Sequence, residues 1–236
     1  VSSPSKILVA VPTRGEVGFN TIQRLQDIRD ANPSLPPILY EAGRLSVASV
    51  RNEIVRKFLK TDCEILLMVD DDVVPHRDIL AMSQYVRHSL IVTPEPRYDI
   101  VGAPYMLLRQ PIAMVATPCV FLRGPGGGYK FIPKTFTLTG VVECDAMGTG
   151  CMMIARRVVE DPRCMPFSLG VDPDGVMVMT EDMIFCLRAK EAGYTLAADY
   201  SRFADHWNSI SLNAIHKGYH DAFARAGKVL TDVPSA

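Results

Sequence analysis

The sequence lacks any apolar run approaching the roughly 20 residues that a membrane-spanning helix needs, and its opening VSSPSK has no apolar segment of the kind that directs secretion. Both absences lead to the expectation of a soluble, cytoplasmic protein. An excess of charge of either sign is also missing. The 25 Lys+Arg and 26 Asp+Glu residues leave a formal net charge of -1, so no global field draws the chain to nucleic acid or an anionic membrane, and a long DNA footprint is disfavoured. None of the six cysteines (Cys63, Cys119, Cys144, Cys151, Cys164 and Cys186) forms a C-x-x-C pair or stands at zinc-ligand spacing from histidine. That pattern points to buried, reduced thiols rather than a structural zinc. Internal repeats are not evident. The composition that remains, 48% hydrophobic and 22% charged over 236 residues, is that of a folded globular chain long enough for one α/β domain.

The first hundred residues alternate in character. KILVAVPTRG is an aliphatic run closed by Pro12 and Gly15, the pattern of a buried strand feeding a loop. Ile22, Leu25 and Ile28 in NTIQRLQDIRDAN predict a helix, and ILYEAG a short strand. SVASVRNEIVRKFLKT places Val47, Val50, Ile54, Val55, Phe58 and Leu59 on one helical face, with Ser46 as a cap. EILLMV predicts the next strand, HRDILAMSQYVRHSL a helix and DIVGAPYML another strand. Such alternation predicts an α/β fold with a mainly parallel sheet, in which ligands gather beyond the carboxyl ends of the strands.

After about residue 108 the regularity ends, and Thr, aromatic and β-branched runs broken by Gly and Pro predict hairpins. RGPGGGYK carries no Lys-Ser or Lys-Thr after its glycines and opens no helix, so it reads as a hairpin turn, or as a flap, rather than a phosphate loop. TEDMIFCLRAKEAGY predicts a helix from near Glu181 to around Gly193, with Met183, Ile184, Leu187 and Ala189 on its buried face. A last strand in TLAADYSRFADHW and a helix from about Leu212 to Ala226 complete the expected order. His216 and His220 stand four apart, but Lys217 occupies the place where a metalloprotease would have its glutamate.

The stretch EILLMVDDDVVP sets three carboxylates, Asp70, Asp71 and Asp72, at the end of an apolar strand. Like charges so close resist ionisation unless a cation or several donors compensate; a solvated turn is the plain alternative. An acidic pair, Glu181 and Asp182, opens a later helix, where the helix dipole alone would favour it. His206 follows further on.

In this order of motifs, from KILVAVPTRG to ADHW, the chain resembles the GT-A glycosyltransferases, especially the family 2-like nucleotide-sugar enzymes. The resemblance implies a Rossmann-like nucleotide-diphospho-sugar transferase fold over residues 1–236, with a nucleotide-binding half (1–108) and a less regular acceptor and catalytic half (109–236). It places Pro12, Thr13 and Arg14 against the nucleotide base and puts Arg51 and Asn52 on a helix before the acidic strand. There Arg51 would contact the nucleotide or pair with an aspartate. The D-x-D element falls on Asp70, Asp71 and Asp72, with Asp72 and His206 as ligands of a divalent ion, Mn²⁺ or Mg²⁺. In TED it makes Asp182 the general base, beside Glu181. Asp145, Gly148 and Gly150 would line the donor sugar, and Trp207 would stack on a sugar or pack.

The implied activity is metal-dependent transfer of a single sugar from a nucleoside-diphosphate donor, UDP-linked, to an acceptor hydroxyl with inversion. A saccharide, a lipid-linked sugar, a protein or a modified nucleic-acid base could each be the acceptor. No Q-x-x-R-W sequence is present, which separates the chain from the processive synthases that share TED. Two alternatives keep the same residues. A haloacid dehalogenase-like phosphatase would use Asp70 as nucleophile, although its motif belongs on the first strand of the core rather than after a strand-helix-strand-helix unit. A non-catalytic nucleotide-sugar binder would retain the donor site alone.

Overall fold

The computed structural model describes residues 6–43, 46–87, 97–109, 115–126, 128–132 and 139–207. The helix expected over 212–226, with His216 and His220, lies outside them. The first elements are β1 (Ile7–Thr13), α1 (Phe19–Ala31), β2 (Leu39–Ala42), α2 (Val47–Phe58) and β3 (Ile65–Val69), the expected alternation. Then come β4 (Val73–Val74), a 3-10 helix (Ile79–Tyr85), β5 (Ile100–Gly102), β6 (Met106–Arg109), β7 (Val115–Pro118), β8 (Val120–Arg123) and β9 (Tyr129–Phe131). The remaining elements are β10 (Val141–Cys144), β11 (Ala146–Met147), β12 (Cys151–Ala155), α3 (Arg156–Glu160), β13 (Gly170–Val171), β14 (Met177–Met179), α4 (Glu181–Glu191), β15 (Leu196–Asp199) and β16 (Asp205–His206).

Seven strands form the central sheet in the order β10-β15-β5-β12-β3-β1-β2. β1 is parallel to β2 and β3, and β15 to β5, whereas β12 runs antiparallel to both β3 and β5, and β10 to β15. Five strands therefore point one way and two the other, a mixed sheet that is mainly parallel. Every residue of β1, β3 and β12 is buried. Strands covered on both faces have no solvent side to mark with polar residues, which is why these three read as unbroken apolar runs.

Reversing β12 has a consequence for the site. Its first residue, Cys151, pairs with Val69 at the carboxyl end of β3, so the turn that feeds β12 runs beneath the three aspartates. β8 and β9 pair antiparallel with Arg123 opposite Tyr129, as the hairpin reading of RGPGGGYK expects, and Gly127 of that stretch lies outside the described residues. All six cysteines are buried and none is in a disulfide; burial pushes the thiols of Cys119 and Cys186 up to about 12, so they stay protonated. No helix among the described residues is long and apolar enough to cross a membrane.

Four local expectations fail, each for a physical reason. On α1 the buried stripe is Thr21, Leu25 and Ile28, while Ile22 is exposed; at 100° per residue it falls about 90° from the middle of that stripe. The helix expected after His76 is 3-10, and its threefold repeat stacks buried Ile79 over Met82 and Leu80 over Ser83. DIVGAPYML splits into β5 and β6 because Pro104, between them, has no N–H for the ladder. On α4 the buried residues are Glu181, Phe185, Cys186 and Ala189, so of the expected face only Ala189 is buried. Apolar residues lie all round this helix, and Phe185 wins the inner position by packing on Phe167, ring centroids 4.6 Å apart.

Candidate active site

A cleft of about 800 Å³ opens at the carboxyl ends of β1 and β3 and the start of α4. Pro12, Thr13, Arg14, Arg51, Asp70, Asp71, Asp72, Glu181 and Asp182 all line it. Gly43, Ser46, Val47, Val50 and Thr180 line it as well, and none of these five was singled out as a site residue in the sequence. Ser46 was legible only as a helix cap, which it is: its hydroxyl accepts from the Ser49 amide at 3.2 Å.

The wall at β1 is a turn built by Thr13, whose hydroxyl donates to the Glu16 carbonyl at 2.7 Å and accepts from the Gly15 amide at 3.0 Å. Asp71 holds this turn to β3. Its backbone carbonyl accepts from the Gly18 amide at 2.8 Å and its side chain from the Arg14 amide at 3.4 Å.

Arg51 occupies the buried face of α2, a place an arginine holds only with partners. Its side chain is 4% exposed and donates to Asp70 at 2.7 Å and to Glu181. One guanidinium thus ties the helix before the acidic strand to the strand's end and to the start of α4. Burial raises the Asp70 pKa; Arg51 opposes this, and Asp72 and Asp182 add to it.

Asp72 is held differently. β16 pairs with β4, setting His206 opposite Val73, and the Trp207 amide donates to the Asp72 carbonyl at 2.8 Å. His206 Nδ1 lies 3.0 Å from the Met106 carbonyl and Nε2 lies 3.2 Å from Asp72 Oδ2. A carbonyl only accepts, so Nδ1 carries the proton. In the neutral ring, Nε2 then presents a lone pair to a carboxylate that also has only lone pairs to offer. Two acceptors face to face call for a proton or a cation between them. The hydrogen bond to Asp72 raises the His206 pKa.

The donor set, one carboxylate and one imidazole oriented by a backbone carbonyl, suits a divalent cation. Among the described residues no three His, Cys, Asp or Glu side chains gather into a metal cage. An ion held by Asp72 and His206 would take its remaining ligands from phosphate and water, as is usual for ions bound with nucleotides.

Asp182 begins α4. Its Oδ1 accepts from the Met183 amide at 2.8 Å and from the Thr180 hydroxyl, which leaves Oδ2 for a proton. Glu181, by contrast, is committed to Arg51 and is 7% exposed.

Four residues expected to line the donor are elsewhere. Asn52 faces away and clamps Phe167, donating to its carbonyl at 2.9 Å and accepting from its amide at 2.8 Å. Asp145 pairs with Lys190 at 3.2 Å and accepts from the Arg123 amide at 2.8 Å. Gly148 and Gly150 lie one layer below the cleft, where the Gly150 carbonyl accepts from the Asp70 amide at 2.9 Å. What approaches them is Tyr105: a Cβ on Gly150 would come within 2.8 Å of its ring, and one on Gly148 would collide with its hydroxyl. Tyr105 is buried, stacks edge-on against His206 at 5.3 Å and was missed in the sequence, where it is one aromatic in an apolar run.

No protein-family model matches this sequence, and no curated protein does. Solved structures do resemble its fold. "A197 from STIV" superposes with a TM-score of 0.55 over 86% of each chain at 19% identity. GalNAc-T7, solved with UDP, GalNAc and Mn²⁺, superposes with a TM-score of 0.51 over 86% of this chain at 12% identity. This chain spans only 38% of the GalNAc-T7 chain. At such identities the likeness is one of fold alone, and the chemistry must be argued from the cleft.

Proposed function

We propose that the protein is a GT-A glycosyltransferase that moves one sugar from a nucleoside-diphosphate donor, UDP-linked, to an acceptor hydroxyl with inversion. The observation that carries this reading is the Asp72–His206 pair, with its tautomer fixed by the Met106 carbonyl, in the strand-end region where Asp182 offers an uncommitted oxygen. The likeness in fold to a protein solved with UDP and Mn²⁺ is consistent with it.

In this reading the turn at Pro12–Arg14 and the start of α2 hold the nucleoside; Asp71 fixes the turn through the Arg14 and Gly18 amides, and Asp70 anchors α2 through Arg51. A divalent ion held by Asp72 and His206, Mn²⁺ or Mg²⁺, would neutralise charge on the departing diphosphate. Asp182 takes the acceptor's proton as the hydroxyl oxygen bonds to the anomeric carbon and the bond from that carbon to the phosphate oxygen breaks. Thr180 and the Met183 amide hold Asp182 Oδ1, so that Oδ2 meets the hydroxyl.

Product analysis by NMR with a UDP-sugar and Mn²⁺ tests the reaction. An inverted anomeric centre supports Asp182 as base, a retained one removes that role, and release of inorganic phosphate from phosphomonoesters in place of sugar transfer would replace the reading with a phosphatase.

A further inference from the structure

The β13–β14 hairpin does something strands in water rarely do. Val176, Met177 and Val178 are consecutive and all exposed, at 59%, 56% and 63%, and Val171 on the partner strand is 59% exposed. Alternation in a strand should bury one face; here neither is buried, and only the turn is polar. The hairpin is nevertheless well fixed. Asp172 Oδ1 accepts from the amides of Asp174 at 3.0 Å and Val176 at 2.8 Å, and Gly170 lies close against Ile184 of α4.

Between this hairpin, β9 and α4 runs a groove of about 310 Å³ lined by Tyr129, Met177, Val178, Met179, Thr180 and Met183, with no charged side chain. Thr180 lines both this groove and the active-site cleft and donates to Asp182, so the two adjoin at that residue. Methionines at such a surface fit flexible apolar ligands because the thioether adapts its shape. An all-polar acceptor would leave these side chains uncovered; an aliphatic chain would cover them.

We propose that this groove holds the aliphatic chain of an amphiphilic acceptor whose hydroxyl lies at Asp182. The inference rests on the glycosyltransferase reading and adds the acceptor's chemical class. The hairpin side supplies apolar contact and Asp182 supplies the proton acceptor, so chain and hydroxyl are recognised by neighbouring but separate residues.

The test uses the full chain with methyl-labelled methionine and two probes, octyl β-glucoside below its micelle-forming concentration and methyl β-glucoside. Saturable shifts of the Met177, Met179 and Met183 methyl signals are expected with the octyl compound and none with the methyl compound. Val178→Asp should weaken octyl binding by about tenfold or more, with UDP binding in Mn²⁺ as the measure of folding. Octyl glucoside that leaves these methyls unmoved in a protein that binds UDP overturns the proposal alone, whereas absence of UDP binding overturns the parent reading. Concentration-dependent methyl shifts without probe, with a dimer in sedimentation, would make the face a contact between copies and also overturn it.

Discussion

Two acidic groups meet in the same cleft and are treated in opposite ways. Asp70 and Glu181 share the buried Arg51, one positive charge between two carboxylates within the fold. Asp72, with its side chain 45% exposed, pairs among the described residues with a histidine whose Nε2, in the neutral ring, is itself a lone-pair donor, and Asp182 keeps one oxygen free of the two bonds made by the other. The difference separates carboxylates that build the site from carboxylates left available for chemistry. The run of three aspartates divides the same way: one closes an ion pair, one fastens the β1 turn and one, Asp72, is held by neither.

Breaking the closed group should cost stability. Arg51→Ala strands two carboxylates, and removing one partner from a buried ion pair costs about 3–5 kcal/mol; a urea midpoint unchanged from wild type would mean that the triad is not structural. Arg51→Lys should recover little, because a single ammonium cannot span both carboxylates as the guanidinium fork does.

Breaking the open group should cost function and leave the fold alone. Asp182→Asn is expected to lower turnover by about 10²–10⁴-fold, the usual share of general-base catalysis, while calorimetry shows donor binding intact. Full turnover in this variant would remove Asp182 from the mechanism, and biological activity that survives Asp182→Asn but not Asp72→Ala would make the protein a nucleotide-sugar binder.

Smaller effects sharpen the boundary between the two groups. Gly150→Ala forces a methyl against the Tyr105 ring and should destabilise by about 1–3 kcal/mol, as overpacking does, read as a lower melting temperature. Asn52→Ala loses two hydrogen bonds to Phe167 and should cost about 1–2 kcal/mol with UDP affinity unchanged. A loss of affinity instead would return Asn52 to the donor site.

Much of this was legible from residue patterns, and what was not has definite causes. The alternation from Ile7 to Val69 is dictated by buried aliphatic strands and one amphipathic helix, both strong local signals. The antiparallel placement of β12 leaves no mark in CMMIA, since a doubly buried strand reads alike in either direction, and with it went the chance to foresee that Gly148 and Gly150 serve Tyr105. Asn52 and Arg51 are adjacent in the chain, but a helix sends neighbours about 100° apart, so one enters the cleft and the other clamps Phe167. Asp145 is acidic near a glycine turn, and nothing local reveals that Lys190 reaches it.

The central claim is that Asp72 and His206 bind a divalent ion together with a nucleoside diphosphate. Calorimetric titration of UDP with and without Mn²⁺, on the wild type and on Asp72→Ala, tests it most directly. Binding should require Mn²⁺ and disappear in the variant while the variant's melting temperature stays near that of the wild type; UDP binding of equal strength in both proteins, with or without the metal, would remove Asp72 and the ion from the site.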